Sequence, residues 1–326
     1  MKKVRLLVVA VLVVLLLVSI IYAASPLQGN GKEEYCMVTF LSGIEYWKGC
    51  YAGFVEAGKL YNVKTTYDGS PEYDINKSVT VLEQVIARKP AGLAITCINP
   101  DAYTEPIKKA IKMGIPVVTF DADSPKSGRY AFLATGNYNA GAMAAKRLAK
   151  VLNETGEVAI ITLPGQLNHE ERKAGFVDTI KKEYPKMKVV QIANGKDQTV
   201  AAQAAAGIIQ SNPNVKGIFC SDATSGVGAA TAVQEADKVG KVKIVSFDTD
   251  KGTLDAIKAG TIDASIAQGT WNMGFWSLQF LYQLKHNLIN PVKGWKEKNI
   301  APLPTYVDTG VSVVTKENVG SFYLKK

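Results

Sequence analysis

The chain has 326 residues, 47% of them hydrophobic and 21% charged, and carries a formal net charge of +9. That length predicts two domains. The lysines are scattered among acids with no run of five like charges, so the basic balance reads as a solvated surface and argues against nucleic acid as a partner. Cys36, Cys50, Cys97 and Cys220 form no C-x-x-C pair, which excludes a clustered zinc site and leaves no metal expected. Three are expected on strands and Cys50 on a helix, as buried free thiols, while one disulfide of unassigned pairing stays open.

Lys2, Lys3 and Arg5 precede an apolar run from Leu6 to Ile21, and Ala23 offers a small residue for cleavage. Residues 1–24 are therefore expected to be a secretory signal peptide or an N-terminal membrane anchor. Removing those three charges from the formal +9 leaves +6 for the remainder. No second comparable run occurs, so that remainder is expected to be soluble, in the periplasm or on the extracellular side of the membrane.

After a polar linker, 25–34, Tyr35 to Leu41 reads as the first strand. A helix follows from about Glu45 to Leu60, with Tyr46 and Trp47 in its first turn. Val63 to Tyr67 is a strand, and Asp74 caps a helix with Ile75, Val79, Leu82 and Ile86 on one face. Gly92 to Thr96 is a strand, and Asn99-Pro100-Asp101 opens a helix ending at Met113-Gly114. The next apolar run, ending in Phe120-Asp121-Ala122-Asp123, is short and β-branched, as a strand buried on both faces should be. Ala131 to Thr135 is a strand, Asn139 to Leu152 a helix, Val158 to Leu163 a strand and Glu170 to Lys182 a helix. Lys188 to Ile192, Gly217 to Cys220, Val242 to Phe247 and Ala264 to Ala267 read as strands. They alternate with helices at Gln198 to Gln210, Gly226 to Ala236, Gly252 to Ala259 and Met273 to Leu284. A segment with Pro291, Pro302 and Pro304 leads to a last strand, Val311 to Val314. Strict alternation predicts an α/β fold of parallel sheets flanked by helices, in two similar lobes.

The second Phe-Asp-x-Asp tetrad, Phe247 to Asp250, lies 127 positions after the first. Ligands of open parallel sheets bind at carboxyl strand ends, so Asp121 and Asp248 are candidate contacts from two facing halves. Asp123 and Asp250 are expected to serve their loops.

These landmarks, taken in order, resemble the periplasmic sugar-binding proteins of the ribose-binding type, solute receptors of ABC transporters. The resemblance is carried by Tyr46-Trp47, by Gly114 to Asp121, by Thr135-Gly136-Asn137 with Ala140-Gly141, and by Glu171-Arg172 before Gly175-Phe176. Gly217 to Asp222, Val245 to Asp248 and Ile266-Ala267-Gln268 complete it. It implies two Rossmann-like lobes joined by a three-segment hinge near Asn137, Gln268 and Val307 to Thr309, the type I periplasmic binding protein fold. The lobes would be 35–136 plus 269–308 and 137–268 plus 309–326. It implies capture of a neutral monosaccharide, hexose or pentose, closure around it, and delivery to a permease by a monomer. The alternative is an extracellular sensor or chemoreceptor protein for a sugar, polyol or furanone, with a chemoreceptor or sensor kinase as partner.

By the same resemblance Tyr46 and Trp47 would cover the sugar faces, while Asp121, Asn137, Arg172, Asp222, Asp248 and Gln268 would grip its hydroxyls. Lys196, a further candidate contact, falls near a position that is aromatic in ribose binders. Ala122 stands where those proteins have Arg, and Ile44 where they have Asn, which disfavours ribose. The chemistry fits a sugar: aromatic rings cover C–H faces, and planar carboxylate, amide and guanidinium groups bind hydroxyl edges.

Catalysis is not expected. His169 and His286 pair with no obvious nucleophile, G-x-S-x-G is absent, and Gly226-Val227-Gly228 is a truncated dinucleotide fingerprint, so no cofactor is expected. The sensing core of a transcription regulator shares the fold, but an export segment occupies the place of its DNA-binding helices.

Overall fold

The computed structural model describes residues 28–29, 31–289, 294–295, 297–298, 300 and 302–323. The expected export segment, most of the linker's first half and Pro291 lie outside these residues.

The first half runs β1 (Glu34–Thr39), α1 (Tyr46–Leu60), β2 (Lys64–Gly69), α2 (Ile75–Ala87), β3 (Gly92–Ile95), α3 (Pro100–Lys112), β4 (Val117–Phe120) and β5 (Phe132–Ala134). The second runs α4 (Asn137–Val151), β6 (Gly156–Thr162), α5 (Leu167–Glu183), β7 (Met187–Asn194), α6 (Gln198–Ser211) and β8 (Val215–Cys220). It continues with α7 (Ala223–Glu235), β9 (Lys243–Phe247), α8 (Lys251–Ala259) and β10 (Ala264–Gln268). Last come α9 (Thr270–Lys285), β11 (Tyr306–Asp308) and β12 (Val311–Val314).

The strands form two six-stranded sheets, ordered β11-β5-β4-β3-β1-β2 and β12-β10-β9-β8-β6-β7. The order is the same twice over, so β4 and β9 hold equivalent places. Two details were not in the expected set of parallel strands: an additional strand and one antiparallel pairing. The three-residue β11 pairs in parallel with β5 and has no sequence pattern of its own. The edge strand β12 runs antiparallel to β10, because β11 has just delivered the chain to the hinge and it turns back there. Cys97 lies just past β3 and not in it; all four cysteines are buried and free.

Helix starts follow local chemistry. Asp74, Asn99, Asp197 and Asp222 each accept a backbone N–H from the residue three positions on, which satisfies one orphan donor of the first turn. β4 is buried along its whole length, and β9 from its second residue. Each sheet is covered on both faces by apolar clusters: Met37, Phe54 and Phe120 on one face of the first sheet, Val38, Leu82 and Ile107 on the other. The second sheet has the same layering, with Phe176, Phe219 and Phe247 opposite Ile161, Ile218 and Ile257.

The chain passes between lobes three times, at Thr135-Gly136, Gln268-Gly269 and Thr309-Gly310. As a result α4 follows β5 yet packs on α5, and α9 follows β10 yet packs on α1. Both helix pairs approach through glycine. A Cβ on Gly141 of α4 would stand 1.9 Å from the Arg172 carbonyl oxygen of α5, and one on Gly274 of α9 would stand 1.7 Å from the Cys50 carbonyl oxygen of α1. These close crossings set where α1 and α5 present their first turns.

Candidate functional site

Asp121 and Asp248 follow the last residues of β4 and β9. Their backbone φ values are +62° and +66°, a region where Asp is among the few tolerated side chains. Each amide is held by the adjacent strand: Asp121 N–H donates to the Leu133 carbonyl and Asp248 N–H to the Ile266 carbonyl. The first acids of the two tetrads therefore share one backbone geometry at the ends of their strands.

From the first lobe, the Tyr46 hydroxyl at the start of α1 donates to Asp121 Oδ1 at 2.8 Å. Burial raises the Asp121 carboxyl above the usual range, opposed by that hydroxyl and by the Arg172 charge. Tyr46 is itself raised, by burial first and then by Asp121. Trp47 is 3% exposed and packs edge-on against Phe40, Tyr46 and Phe120, which places it in the core, with Nε1 buried and unpartnered.

From the second lobe, Arg172 is 2% exposed. Its Nε donates to Asn137 Oδ1 and its Nη1 to the Ser221 carbonyl, both at 2.9 Å. Its guanidinium carbon lies 3.9 Å from the centroid of the Phe247 ring. Among the described residues no carboxylate lies within ion-pair distance of Arg172, yet its charge acts on both Asp121 and Asp248. His169, three residues before it, is buried and neutral: burial and the Arg172 charge lower its pKa to about 3, while its Nδ1 bonds the Ser221 hydroxyl at 2.9 Å.

Burial pushes the Asp248 carboxyl up from 3.8 to about 7, against the opposing pull of Arg172 and of Gln268, whose Nε2 donates to Oδ1 at 2.7 Å. Asp250 and Asp222 push the same way as burial, and Tyr46 and Cys50 sense the Asp248 charge from the opposite lobe. The folded protein thus holds an extra proton between 3.8 and about 7. The stability this group contributes is complete below 3.8 and lost as pH rises through about 7. A ligand hydroxyl that donates to this carboxylate is bound more strongly by the ionised form. Affinity for a hydroxyl-bearing ligand held at Asp248 is therefore expected to fall between about pH 8 and about pH 5.5, as titration calorimetry across that range would read. A flat profile would show that Asp248 does not accept from the ligand.

Glu45, Tyr46, Gly49 and Thr270 of one lobe and Asp248, Thr249, Asp250 and Gln268 of the other line one cleft that is open toward solvent. Of the expected contacts, Tyr46, Asp248 and Gln268 line this cleft, and Trp47, Asp121, Asn137, Arg172 and Asp222 are not among its lining; Glu45, Gly49, Thr249, Asp250 and Thr270 line it without having been expected. Asp250 departs from its expected loop role. Asp123 is held in its loop by Arg129 at 2.6 Å and by the Thr119 hydroxyl at 2.5 Å, whereas Asp250 makes no cap bond and sits in the cleft. The signal was present: Ala256 stands six residues after Asp250, where Arg129 stands after Asp123.

Asp222 is 8% exposed and caps α7, accepting from the Ser225 amide and from the Thr224 and Ser225 hydroxyls. Lys196 is exposed on the turn between β7 and α6, is not among the cleft lining, and makes no hydrogen bond or ion pair among the described residues. No metal-competent cluster of His, Cys, Asp or Glu occurs among the described residues.

Comparison with known proteins places this geometry. The family model for the periplasmic binding protein domain matches residues 35–287. The D-allose-binding periplasmic protein of Escherichia coli is 29% identical over 258 residues, 76% of this chain and 83% of that protein. The solved structure of an arabinose-binding protein from Geobacillus stearothermophilus matches with a TM-score of 0.86 and 53% identity, covering 90% of this chain and all of that one. A sugar-binding protein of a sugar ABC transporter from Bacillus halodurans matches with a TM-score of 0.86 and 48% identity, covering 89% of this chain and 100% of that one.

Proposed function

The chain belongs to the periplasmic binding protein family, and from that premise we propose that it captures a neutral pentose of the arabinose type between its lobes, outside the cytoplasm, and delivers it unchanged to an ABC permease. One observation carries this reading. Asp121 and Asp248 stand at equivalent strand ends of opposite lobes, in matched backbone geometry, within the field of one buried Arg172 that pairs with neither. Carboxylates held that way are acceptors that need donors, and hydroxyls of a neutral sugar supply them. The surplus of acids over that single arginine opposes an anionic ligand.

The specific sugar is inferred from the 53% identity to an arabinose-binding protein, together with Ala122 and Ile44 at the two positions that set ribose binders apart. Asn137, Arg172, Gln268 and Tyr46 are proposed as further contacts. Trp47 supports the site from beneath, because its ring faces neighbouring aromatics. Sheet membership supports lobes of 35–136 plus 269–308 and 137–268 plus 309–326. Residues 1–24 are proposed to direct export, and the protein to act as a monomer.

Contacts from both lobes favour the closed form by their differential affinity, and a permease selective for that form then reads occupancy. A thermal-shift panel of both arabinose enantiomers, other aldopentoses, hexoses and sugar acids tests this. A ligand at about 100 times its dissociation constant stabilises by about 2.7 kcal/mol. Arabinose is expected to give the largest shift and sugar acids none. The absence of a shift with every neutral monosaccharide would overturn the proposal.

A further inference from the structure

We propose that Thr135, a hinge residue, is a positioning residue for sugar binding that acts on Asp248 through Gln268. The inference rests on Asp248 being a ligand acceptor. Thr135 is 2% exposed and lies on the first crossing between lobes, directly after β5. Its hydroxyl donates to Gln268 Oε1 at 2.7 Å, and Gln268, at the second crossing, donates from Nε2 to Asp248 Oδ1 at 2.7 Å. The chain of contacts thus starts in the first lobe and ends at the acid of the second.

The direction of this chain is set by chemistry. A carboxamide has one accepting end and one donating end. Asp248, when ionised, only accepts. The Thr135 hydroxyl supplies the donor that holds the Gln268 oxygen in place, so the NH₂ end must face Asp248. That occupies Oδ1 and leaves Oδ2 to accept from a sugar hydroxyl. Without the Thr135 hydroxyl the amide is free to turn its oxygen toward the carboxylate, setting acceptor against acceptor.

Thr135 and Gln268 are themselves fixed by the hinge. Each is followed by a glycine at a tight crossing. A Cβ on Gly136 would stand 2.3 Å from Asp308 Oδ2, and one on Gly269 would stand 2.2 Å from the Thr309 carbonyl oxygen. Asp308 Oδ1 accepts from the amides of Gly136 and Gly310, Thr309 N–H donates to the Ala134 carbonyl, and Gly269 N–H donates to the Gly310 carbonyl. All three crossings therefore meet in one hydrogen-bonded knot. The Thr135 to Gln268 contact is the side-chain bond that carries the state of this knot to the ligand acid. Movement of the crossings on opening would lengthen it.

The test is a double-mutant cycle on the full protein, read by titration calorimetry with whichever arabinose enantiomer gives the larger thermal shift. Thr135→Val is near-isosteric and removes the donor. Thr135→Val and Gln268→Ala are each expected to weaken binding about tenfold. The double variant is expected to be no weaker than Gln268→Ala alone, because Thr135 acts through that amide. Thr135→Ser restores the donor and is expected to bind within about twofold of the parent. Melting of the sugar-free variants is expected to stay close to the parent. Unchanged affinity in Thr135→Val, or losses that add in the double variant, would overturn the relay while leaving sugar binding at Asp248 intact. Unchanged affinity in Asp248→Asn would instead overturn the reading of Asp248 as acceptor, and the relay with it.

Discussion

Replacing Asp248 by asparagine is expected to weaken sugar binding about tenfold and at the same time to raise the melting temperature of the sugar-free protein at about pH 8. The two effects share one cause. The folded protein holds this carboxyl with a pKa of about 7 against 3.8 in the free side chain, so at higher pH it keeps an ionised group that burial opposes. A neutral amide removes that opposition. Asparagine also tolerates the left-handed backbone at this position, and its oxygen still accepts from Gln268 Nε2. Binding suffers because a charge-assisted hydrogen bond of about 1.5–3 kcal/mol becomes a neutral one of about 1 kcal/mol. At about pH 4 the aspartate is protonated in the folded state, so the gain in melting temperature is expected to vanish there.

Asp121→Asn should behave similarly in binding, since Tyr46 still finds an acceptor. Alanine at either position loses the acceptor and adds backbone strain, and the expected loss of affinity is about 100-fold. Calorimetric titration paired with thermal melting at the two pH values reads both effects. Unaltered dissociation constants in both asparagine variants would remove these acids from the site.

Substituting alanine at Gly141 or Gly274 is expected to cost about 3 kcal/mol of stability. The added carbon would lie 1.9 Å from the Arg172 carbonyl oxygen in one case and 1.7 Å from the Cys50 carbonyl oxygen in the other. Both obstacles are helix backbone, which cannot turn aside as a side-chain tip does, so the paired helices must part. The two variants should differ in function. Gly141→Ala displaces α5 at Arg172 itself, whereas Gly274→Ala displaces α1 one turn beyond Tyr46 and Trp47. Affinity is therefore expected to fall further in Gly141→Ala. At Gly207, in the middle of α6, an added Cβ would meet nothing within 4 Å, and Gly207→Ala is expected to stabilise by about 0.5–1 kcal/mol. Chemical denaturation of the three variants checks the order; equal stabilities would show that the crossings yield easily.

Much of the fold was legible because its rules are local. Alternation of short β-branched runs with amphipathic helices is written within windows of a few residues, and so are the caps at Asp74 and Asn99. The two Phe-Asp-x-Asp tetrads marked Asp121 and Asp248 from strand ends alone. The three-residue β11 was not legible, since its pairing partner β5 lies more than 170 positions earlier and nothing local distinguishes it from a turn. Trp47 was also beyond local reading: Phe40 and Phe120, which enclose it, come from the residue just after β1 and from β4.

By itself, then, the amino-acid sequence determined two α/β halves and an acid at the end of one strand in each. Only the tertiary structure decided which polar groups those acids meet. Arg129 turns back to hold Asp123 and removes it from the cleft, while Asp250, with no such partner, stays in it. Arg172 reaches Asn137 and Ser221 in place of a carboxylate, and Thr135 meets Gln268 across 133 positions of chain. Strand and helix follow from neighbours in the chain. The environment of a charge is set by whatever the fold brings within a few ångströms, and that is a property of the whole packing.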